Sequence, residues 1–343
     1  MSHYAGLDVS LKETSICIVD HEGNILREGK VFTEPAQITS FLQKSGLSIK
    51  RVGLEAGNLS PWLCHELRNA GWPVFCLETR HVKAALKAQT MKTDRNDARG
   101  IAHIMRTGWF RAVHVKSADS QKLRVLLNNR RCLLEKRLAI EADIRGSLKP
   151  FGIKLGQITT RNFDERVREL IAGDEMMEAA IFPLLAVRGP LIEQCKKLEK
   201  LILDYVRDDE VCQRFMTIPG IGALTALAFK TFLDSPARFT KSKNVGAALG
   251  LTPKKFASGE VDYDGHITKC GDDFVRMYLY EAAQTLLTRT KKWSSLKAWG
   301  LRIARRSRFQ IACVAVARKL AVIMHRMWVD GTDFQWGQQP MTA

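Results

Sequence analysis

Strand and helix patterns alternate as far as Met105 in this 343-residue chain, and from about Ser120 the strand pattern disappears. Tyr4–Val9, Thr14–Val19 and Ile25–Phe32 read as apolar strands, with His21-Glu22-Gly23-Asn24 supplying turn chemistry between the last two. Connections this short predict an antiparallel meander. Pro35 then opens a short amphipathic helix to about Lys44, since a proline fits the first helical turn. Arg51–Glu55 reads as a strand, Pro61–Ala70 as a helix, Pro73–Leu77 as a strand and His81–Gln89 as a helix, and a last helix runs from Asp94 through Met105. The order β-β-β-α-β-α-β-α predicts a mixed sheet with helices on its faces.

Four acids occupy telling places in that order. Asp8 sits in the first strand, inside Gly6-Leu7-Asp8-Val9-Ser10, where a carboxylate is costly to bury unless something pairs with it. Glu55 ends the strand Val52-Gly53-Leu54-Glu55. Asp94 and Asp97 lie one helical turn apart in Lys92-Thr93-Asp94-Arg95-Asn96-Asp97-Ala98, a spacing that puts both on one helix face. The element order is that of an α/β RNase H-like (RuvC-like) fold, in which the first strand, the fourth strand and the last helix converge. Four converging carboxylates suit Mg²⁺, or Mn²⁺ in its place, and two such ions can clamp a scissile phosphate. Taken singly, Asp94 also reads as a helix N-cap and Glu55 as a surface acid at the end of a strand.

Charge points to the partner. Lys and Arg number 53 against 36 Asp and Glu, a formal net charge of +17, and such an excess favours a polyanion because neutralised phosphates release counterions. The eight cysteines are scattered, several inside apolar runs such as Ser15-Ile16-Cys17-Ile18-Val19. That is the pattern of buried free thiols in a reducing compartment. No apolar run approaches the ~18 residues of a membrane span, and Met1-Ser2-His3-Tyr4 leads straight into a strand pattern. The expectation is a bacterial cytoplasmic protein with no membrane partner.

Between Ser120 and Phe215, Leu123, Leu126, Leu127, Leu133, Leu134 and Leu138 recur at helical spacing, and a second such run spans Leu191 to Val206. Pro150-Phe151-Gly152 and Phe182-Pro183 interrupt them. Two long amphipathic helices predict an antiparallel arm or coiled-coil pairing surface, with a helix pair packed on the core as the alternative. From Thr217 the chain reads as helical apart from a loop at Thr252–Lys269, and it ends in a basic stretch that includes Arg305 and Arg306, with Trp293 and Trp299 interleaved. The tail after Trp328 reads as frayed. The expected division is residues 1–115, 116–215, 216–330 and a tail, 331–343.

Two C-terminal signals concern phosphates. The turn Ile218-Pro219-Gly220-Ile221-Gly222 resembles a helix-hairpin-helix turn, whose glycines, here Gly220 and Gly222, let backbone N–H groups face a phosphate. A tight interhelical turn without a ligand is the alternative. Downstream, Ser258 precedes Gly259 in a segment carrying Lys254 and Lys255, with Lys269 and Arg276 following as candidate phosphate clamps.

In this order the motifs resemble the DEDD insertion-element transposases, a family that includes bridge-RNA-guided recombinases and Piv-type invertases. Gly6-Leu7-Asp8, Leu54-Glu55-Ala56 and Lys92-Thr93-Asp94-Arg95-Asn96-Asp97-Ala98 look like its RuvC-like motifs. Ile218-Pro219-Gly220-Ile221-Gly222 and Gly250-Leu251-Thr252-Pro253 through Ser258-Gly259 look like its C-terminal transposase motifs. The resemblance implies that Asp8, Glu55, Asp94 and Asp97 hold the metal and that Ser258 is the nucleophile, forming a covalent phosphoserine link to DNA. It also implies a homo-oligomer, dimer or tetramer, with the central helices in assembly, and a structured guide RNA from the element that pairs with DNA. The run Glu260-Val261-Asp262-Tyr263-Asp264 is more acidic than expected beside a DNA phosphate. The main rival is a RuvC-like endonuclease using water as nucleophile, which shares the four acids and lacks the serine chemistry. An actin-like kinase would need a second phosphate hairpin and a glycine-rich adenosine loop, neither of which is evident.

Overall fold

The structure is a computed structural model that describes residues 2–87 and 91–337. The chain forms two compact units, the first ending at Lys116 and the second starting at Ser117.

In the first unit β1 (His3–Val9), β2 (Glu13–Val19) and β3 (Ile25–Phe32) form the expected meander. They are followed by α1 (Pro35–Gln43), β4 (Ile49–Glu55), α2 (Ser60–Asn69), β5 (Val74–Leu77), α3 (Thr79–Leu86) and α4 (Asp94–Thr107). The end of the helix expected over His81–Gln89 lies outside the described residues. Strand order is β3-β2-β1-β4-β5, with β4 parallel to both β1 and β5.

Alternation along the strands decides what each face carries. Ala5, Leu7, Ile16, Ile18, Val52 and Leu54 are buried on one face with Ile38 and Leu42 of α1 and Leu63 and Leu67 of α2. Tyr4, Cys17 and Val19 are buried on the other, against Val82 of α3 and Ala98, Ile101, Ala102 and Met105 of α4. Gly6 shares that second face. A Cβ there would lie 2.2 Å from the Ala98 carbonyl oxygen and 2.3 Å from the Ala102 nitrogen, so the α4 backbone rests directly on the first strand. At Gly53 the obstruction is the side chain of Met105, at 2.6 Å, which can turn away.

This difference makes a prediction. Gly6→Ala is expected to cost ~3 kcal/mol or more, the upper end of overpacking penalties, because a helix backbone must move. Gly53→Ala should cost ~1 kcal/mol, because a methionine adapts. Urea unfolding of both variants checks this, and equal losses would mean that α4 is not seated on Gly6.

In the second unit, α5 (Ala118–Leu148) and α7 (Glu175–Asp208) pack along each other, with α6 (Phe163–Ile171) between them in sequence. The break expected at Phe182-Pro183 is absent: α7 runs through Pro183 and Pro190. Each proline forfeits a backbone bond, but the buried side chains of Ile181, Leu185 and Arg188 hold the helix against its neighbours. The chain does turn at Pro150-Phe151-Gly152, where Gly152 has φ +74°. Far from the C-terminal helices, Ile144, Leu148, Phe163, Val167, Ile171, Ile181 and Leu185 form a separate core. Leu127, Ile202 and Val206 instead join the main core of the unit.

That main core is built by α8 (Glu210–Met216), α9 (Ala223–Leu233), α10 (Lys243–Ala248), α11 (Asp273–Thr288), α12 (Ser295–Arg306) and α13 (Phe309–Asp330). The expected loop at Thr252–Lys269 is mostly an antiparallel hairpin, β6 (Pro253–Ser258) and β7 (Val261–Ile267). Nor does the chain fray between Trp328 and Gly337: α13 continues to Asp330, Phe334 is buried, and Ser295 N donates to the Trp336 carbonyl at 3.0 Å, while the rest of the tail lies outside the described residues. None of the described helices is long and apolar enough to cross a membrane.

Candidate active site

Sheet pleating and the seat of α4 bring the four acids to one end of the first unit. Tyr4, Gly6 and Asp8 alternate onto the α4 face of β1, and Arg51, Gly53 and Glu55 do the same on β4. The register of these parallel neighbours pairs Leu7 with Leu54, so Asp8 and Glu55 follow side by side at the carboxyl ends. Arg51 fixes α4 at its far end, donating from Nη1 to the Met105 carbonyl at 2.9 Å. The near end is fixed by Glu28 on β3, which accepts from Arg95 and Arg99. Those guanidiniums, chiefly Arg99, hold Glu28 down to about 2.

Thr93, not Asp94, caps α4, its side chain accepting from Asn96 N at 3.2 Å. Asp94 is therefore released from the capping role the sequence allowed it, and Asp94 and Asp97 occupy the first turn, where the helix dipole favours negative charge. Asp8 registers the result. Burial, followed by the charges of Asp97, Asp94 and Glu55, pushes its carboxyl up to about 6, with Lys92 opposing. Glu55 is raised as well, by burial and by Asp97, against a hydrogen bond from Thr79 and the charge of Lys92.

The acids are electrostatic neighbours without forming a closed coordination shell. Among the described residues no group of three or more His, Cys, Asp or Glu side chains lies close enough to hold a metal ion. Lys30 Nζ stands 3.6 Å from Asp94 Oδ2 and 3.0 Å from Glu13 Oε2, drawing Asp94 toward the meander. The donor chemistry still fits a hard divalent cation: all four groups offer carboxylate oxygens, and the raised Asp8 marks a place where positive charge is favourable.

Ser258 ends β6, paired with Val261 across a two-residue turn, and is exposed. Gly259, the first turn residue, has φ +56°, a backbone that glycine takes without strain. The acids of β7 that looked out of place are partnered within the hairpin: Lys255 pairs with Asp262 and lies 3.9 Å from Asp264. Phe256 stacks on Tyr263 with ring centroids 5.0 Å apart.

A family model for DEDD transposases of the IS110 type, described as "Transposase", matches residues 5–152, and one for the transposase IS116/IS110/IS902 family matches residues 212–298. The first spans all four acids and the second spans the hairpin. The chain belongs to the DEDD insertion-element transposase family. Its relatives include the transposase for insertion sequence element IS1111A of Coxiella burnetii, 29% identical over 97% of this chain and 91% of that protein. A probable family 20 transposase of Pseudomonas aeruginosa is 27% identical over 97% and 98%. The transposase for insertion sequence element IS1328 of Yersinia enterocolitica is 26% identical over 96% and 97%. The protein is thus a DNA transposase, and its family implies use of a divalent metal.

Several candidate contact residues of the transposase have structural work as well. Gly220 has φ +92°, and a Cβ there would lie 2.6 Å from the Ala282 carbonyl oxygen of α11, so this glycine is required by helix packing. Gly222 is exposed and precedes α9 as its N-cap, with nothing within 4 Å of its Cβ position. Arg276 donates from Nη1 to the carbonyls of Leu249 and Cys270 at 3.0 and 3.2 Å, tying together the two segments that lead into and out of the hairpin. Lys254, Lys269, Arg305 and Arg306 are exposed. Sequence reasoning missed Lys92, Lys30 and the Glu28 clamp. Gly6 and Gly53, each two residues before an acid, were the available signal for where a helix would rest.

Proposed function

We propose that this transposase cuts and rejoins DNA through a covalent phosphoserine link on Ser258, with Asp8, Glu55, Asp94 and Asp97 holding the divalent metal. The observation that carries the metal-site part of the reading is the meeting of Asp8 and Glu55 at the carboxyl ends of β1 and β4, where burial and the other three acids raise Asp8 to about 6. Strand order β3-β2-β1-β4-β5 with β1, β4 and β5 parallel supports an RNase H-like (RuvC-like) catalytic unit. Bound Mg²⁺, two ions in this reading with Mn²⁺ able to replace them, supplies Lewis-acid polarisation of the phosphate.

Ser258 Oγ forms a bond to phosphorus while a phosphorus–oxygen bond to the DNA sugar breaks, the leaving oxygen taking up a proton as the serine loses one. Each phosphodiester lost becomes a phosphoserine ester, so rejoining needs no ATP. Exposure at the hairpin tip leaves the hydroxyl open to a strand. Gly222, Lys254, Lys269, Arg305 and Arg306 serve as phosphate contacts. Lys255, Gly220 and Arg276 stay in the nucleic-acid-binding set with the structural ties described above.

In functional terms the chain divides into a catalytic part, residues 1–115, a helical arm, 116–215, a C-terminal transposase part, 216–330, and a tail, 331–343. Leu138, Leu201 and Leu203 are about half exposed on the arm, which supports pairing of copies into a dimer or tetramer. A structured RNA from the element is assigned the reading of DNA sequence by base pairing.

The test is a denaturing gel for a protein–DNA adduct, using Mg²⁺, element junction DNA and RNA transcribed from the element's noncoding end. Adduct formation by the wild type and its loss in both Ser258→Ala and Asp8→Ala are expected. Cleavage without an adduct, unaffected by Ser258→Ala, would mean a RuvC-like nuclease that uses water.

A further inference from the structure

Beside the hairpin the second unit carries a cavity of about 1070 Å³ whose lining contains no carboxylate. The base of the hairpin contributes Lys254 and His266 to its lining and α13 contributes Arg318 and Lys319; Lys243 and Lys269 also line it. Among the described residues none of these lysines and arginines has a carboxylate within ion-pair distance. Lys255, next along β6 and outside the cavity lining, is held by Asp262 and Asp264. Lys254, where the β6–β7 register shifts, thus lines the groove without a counter-charge, while its neighbour Lys255 is paired with acids.

The rest of the lining is largely apolar. Leu251, Trp299, Ile311, Val314 and Val322 belong to it, and Ile311 is 54% exposed. Trp299 also lines a neighbouring hollow that holds Arg302 and Arg306, so the basic surface continues past the cavity. Cations and apolar, aromatic-bearing surface in one groove match a strand whose phosphates meet the cations and whose base faces meet the apolar side chains. A duplex keeps its base faces stacked between two backbones and cannot place one on Trp299 or Ile311. The volume is at the top of the ~300–1,000 Å³ range of small-ligand pockets, which leaves room for more than one base.

We infer that this groove binds a DNA segment with unpaired bases, held by Lys243, Lys254, Lys269 and Lys319 at its phosphates. The inference rests on the proposed function in one respect: the hairpin that walls the groove carries Ser258, so the occupant is taken to be the DNA strand delivered to that serine. Positioning an unpaired segment here would favour junctions that have already been opened over intact duplex.

The experiment measures binding by Ser258→Ala protein, in which no serine chemistry can occur, to three labelled probes. These are a DNA duplex, the same duplex with a few unpaired nucleotides, and an RNA version of the unpaired strand, each across a salt series. Charge reversal at Lys243 and Lys319 is expected to weaken binding of the unpaired DNA probe about tenfold. It should also lower the salt slope by roughly 1.4, the value for two lost phosphate contacts on a single strand. Duplex affinity should stay within about twofold. Lys243→Gln with Lys319→Gln, which removes the charges without reversing them, should give a smaller loss in the same direction. Equal weakening of duplex and unpaired probes, no weakening at all, or tighter binding of the RNA strand would each overturn the inference. Because adduct formation is absent from this assay, failure of the phosphoserine reading shows in the gel experiment and failure of the groove shows here.

Discussion

Asp8→Asn is expected to make the metal-free protein more stable at pH 8 while lowering DNA cleavage on the order of 10³-fold, the scale for losing one charge-stabilising group at a reacting centre. A catalytic acid that strains its own fold separates these two readouts. Asp8 ordinarily titrates near 3.8, and in the folded chain it is pushed to about 6 by burial and by Asp97, Asp94 and Glu55. Below pH ~3.8 the group is protonated whether folded or unfolded and contributes nothing. Between that value and about 6 the folded chain keeps a proton the unfolded chain would release, so stability from this group falls as pH rises. Above about 6 the whole penalty is present. Such a shift corresponds to roughly 3 kcal/mol for a fully buried group, and solvent screening at this half-buried position reduces it to ~1 kcal/mol.

Melting in EDTA should therefore place Asp8→Asn above wild type at pH 8 by a few degrees and level with it near pH 4. Adding Mg²⁺ should raise the wild type more than the variant, because binding to the folded state alone stabilises it. A variant less stable than wild type at pH 8 in EDTA would show that Asp8 is a structural partner instead.

Much of this was legible before the fold was known. Tyr4, Gly6 and Asp8 sit at a two-residue period, and a glycine inside an apolar strand signals close approach of another backbone. The same pattern recurs at Gly53 and Glu55. Together they announce the α4 face and the acids at its end. The hairpin was not legible because its strands lack a buried face: all of Pro253–Ser258 is exposed, so no apolar alternation marks it. Lysine and aspartate pairs across the strands do the work a hydrophobic face does elsewhere. Pro183 misled for a related reason, since local propensity is outweighed where the same helix buries Ile181 and Leu185. The distance between four acids in one neighbourhood and four acids around one ion was beyond any sequence argument. It depends on where Lys30 and Lys92 place their charges.

The arm offers the second large effect. Arg188 is buried in α7 and donates to Glu141 Oε1 at 2.8 Å, Asp164 Oδ1 at 2.7 Å and the Thr160 carbonyl at 2.8 Å, with its guanidinium 4.7 Å from the Phe163 ring centroid. It joins α5, α6 and α7 at the edge of the separate distal core. Arg188→Ala leaves Glu141 and Asp164 without that shared partner, and Arg137, 3.6 Å from Glu141, can answer only one of them. The expected cost is ~3 kcal/mol, the low end for breaking a buried ion pair. The loss should be local, because Leu127, Ile202 and Val206 belong to the other core. Hydrogen exchange should rise in α6 and the adjoining halves of α5 and α7 while α11 and α13 keep their protection. If the arm pairs copies of the chain, sedimentation should shift toward a smaller species in parallel. Uniform loss of protection across the second unit would mean that the two cores unfold together, and the arm would then be a buttress of the C-terminal helices instead of a separate pairing element.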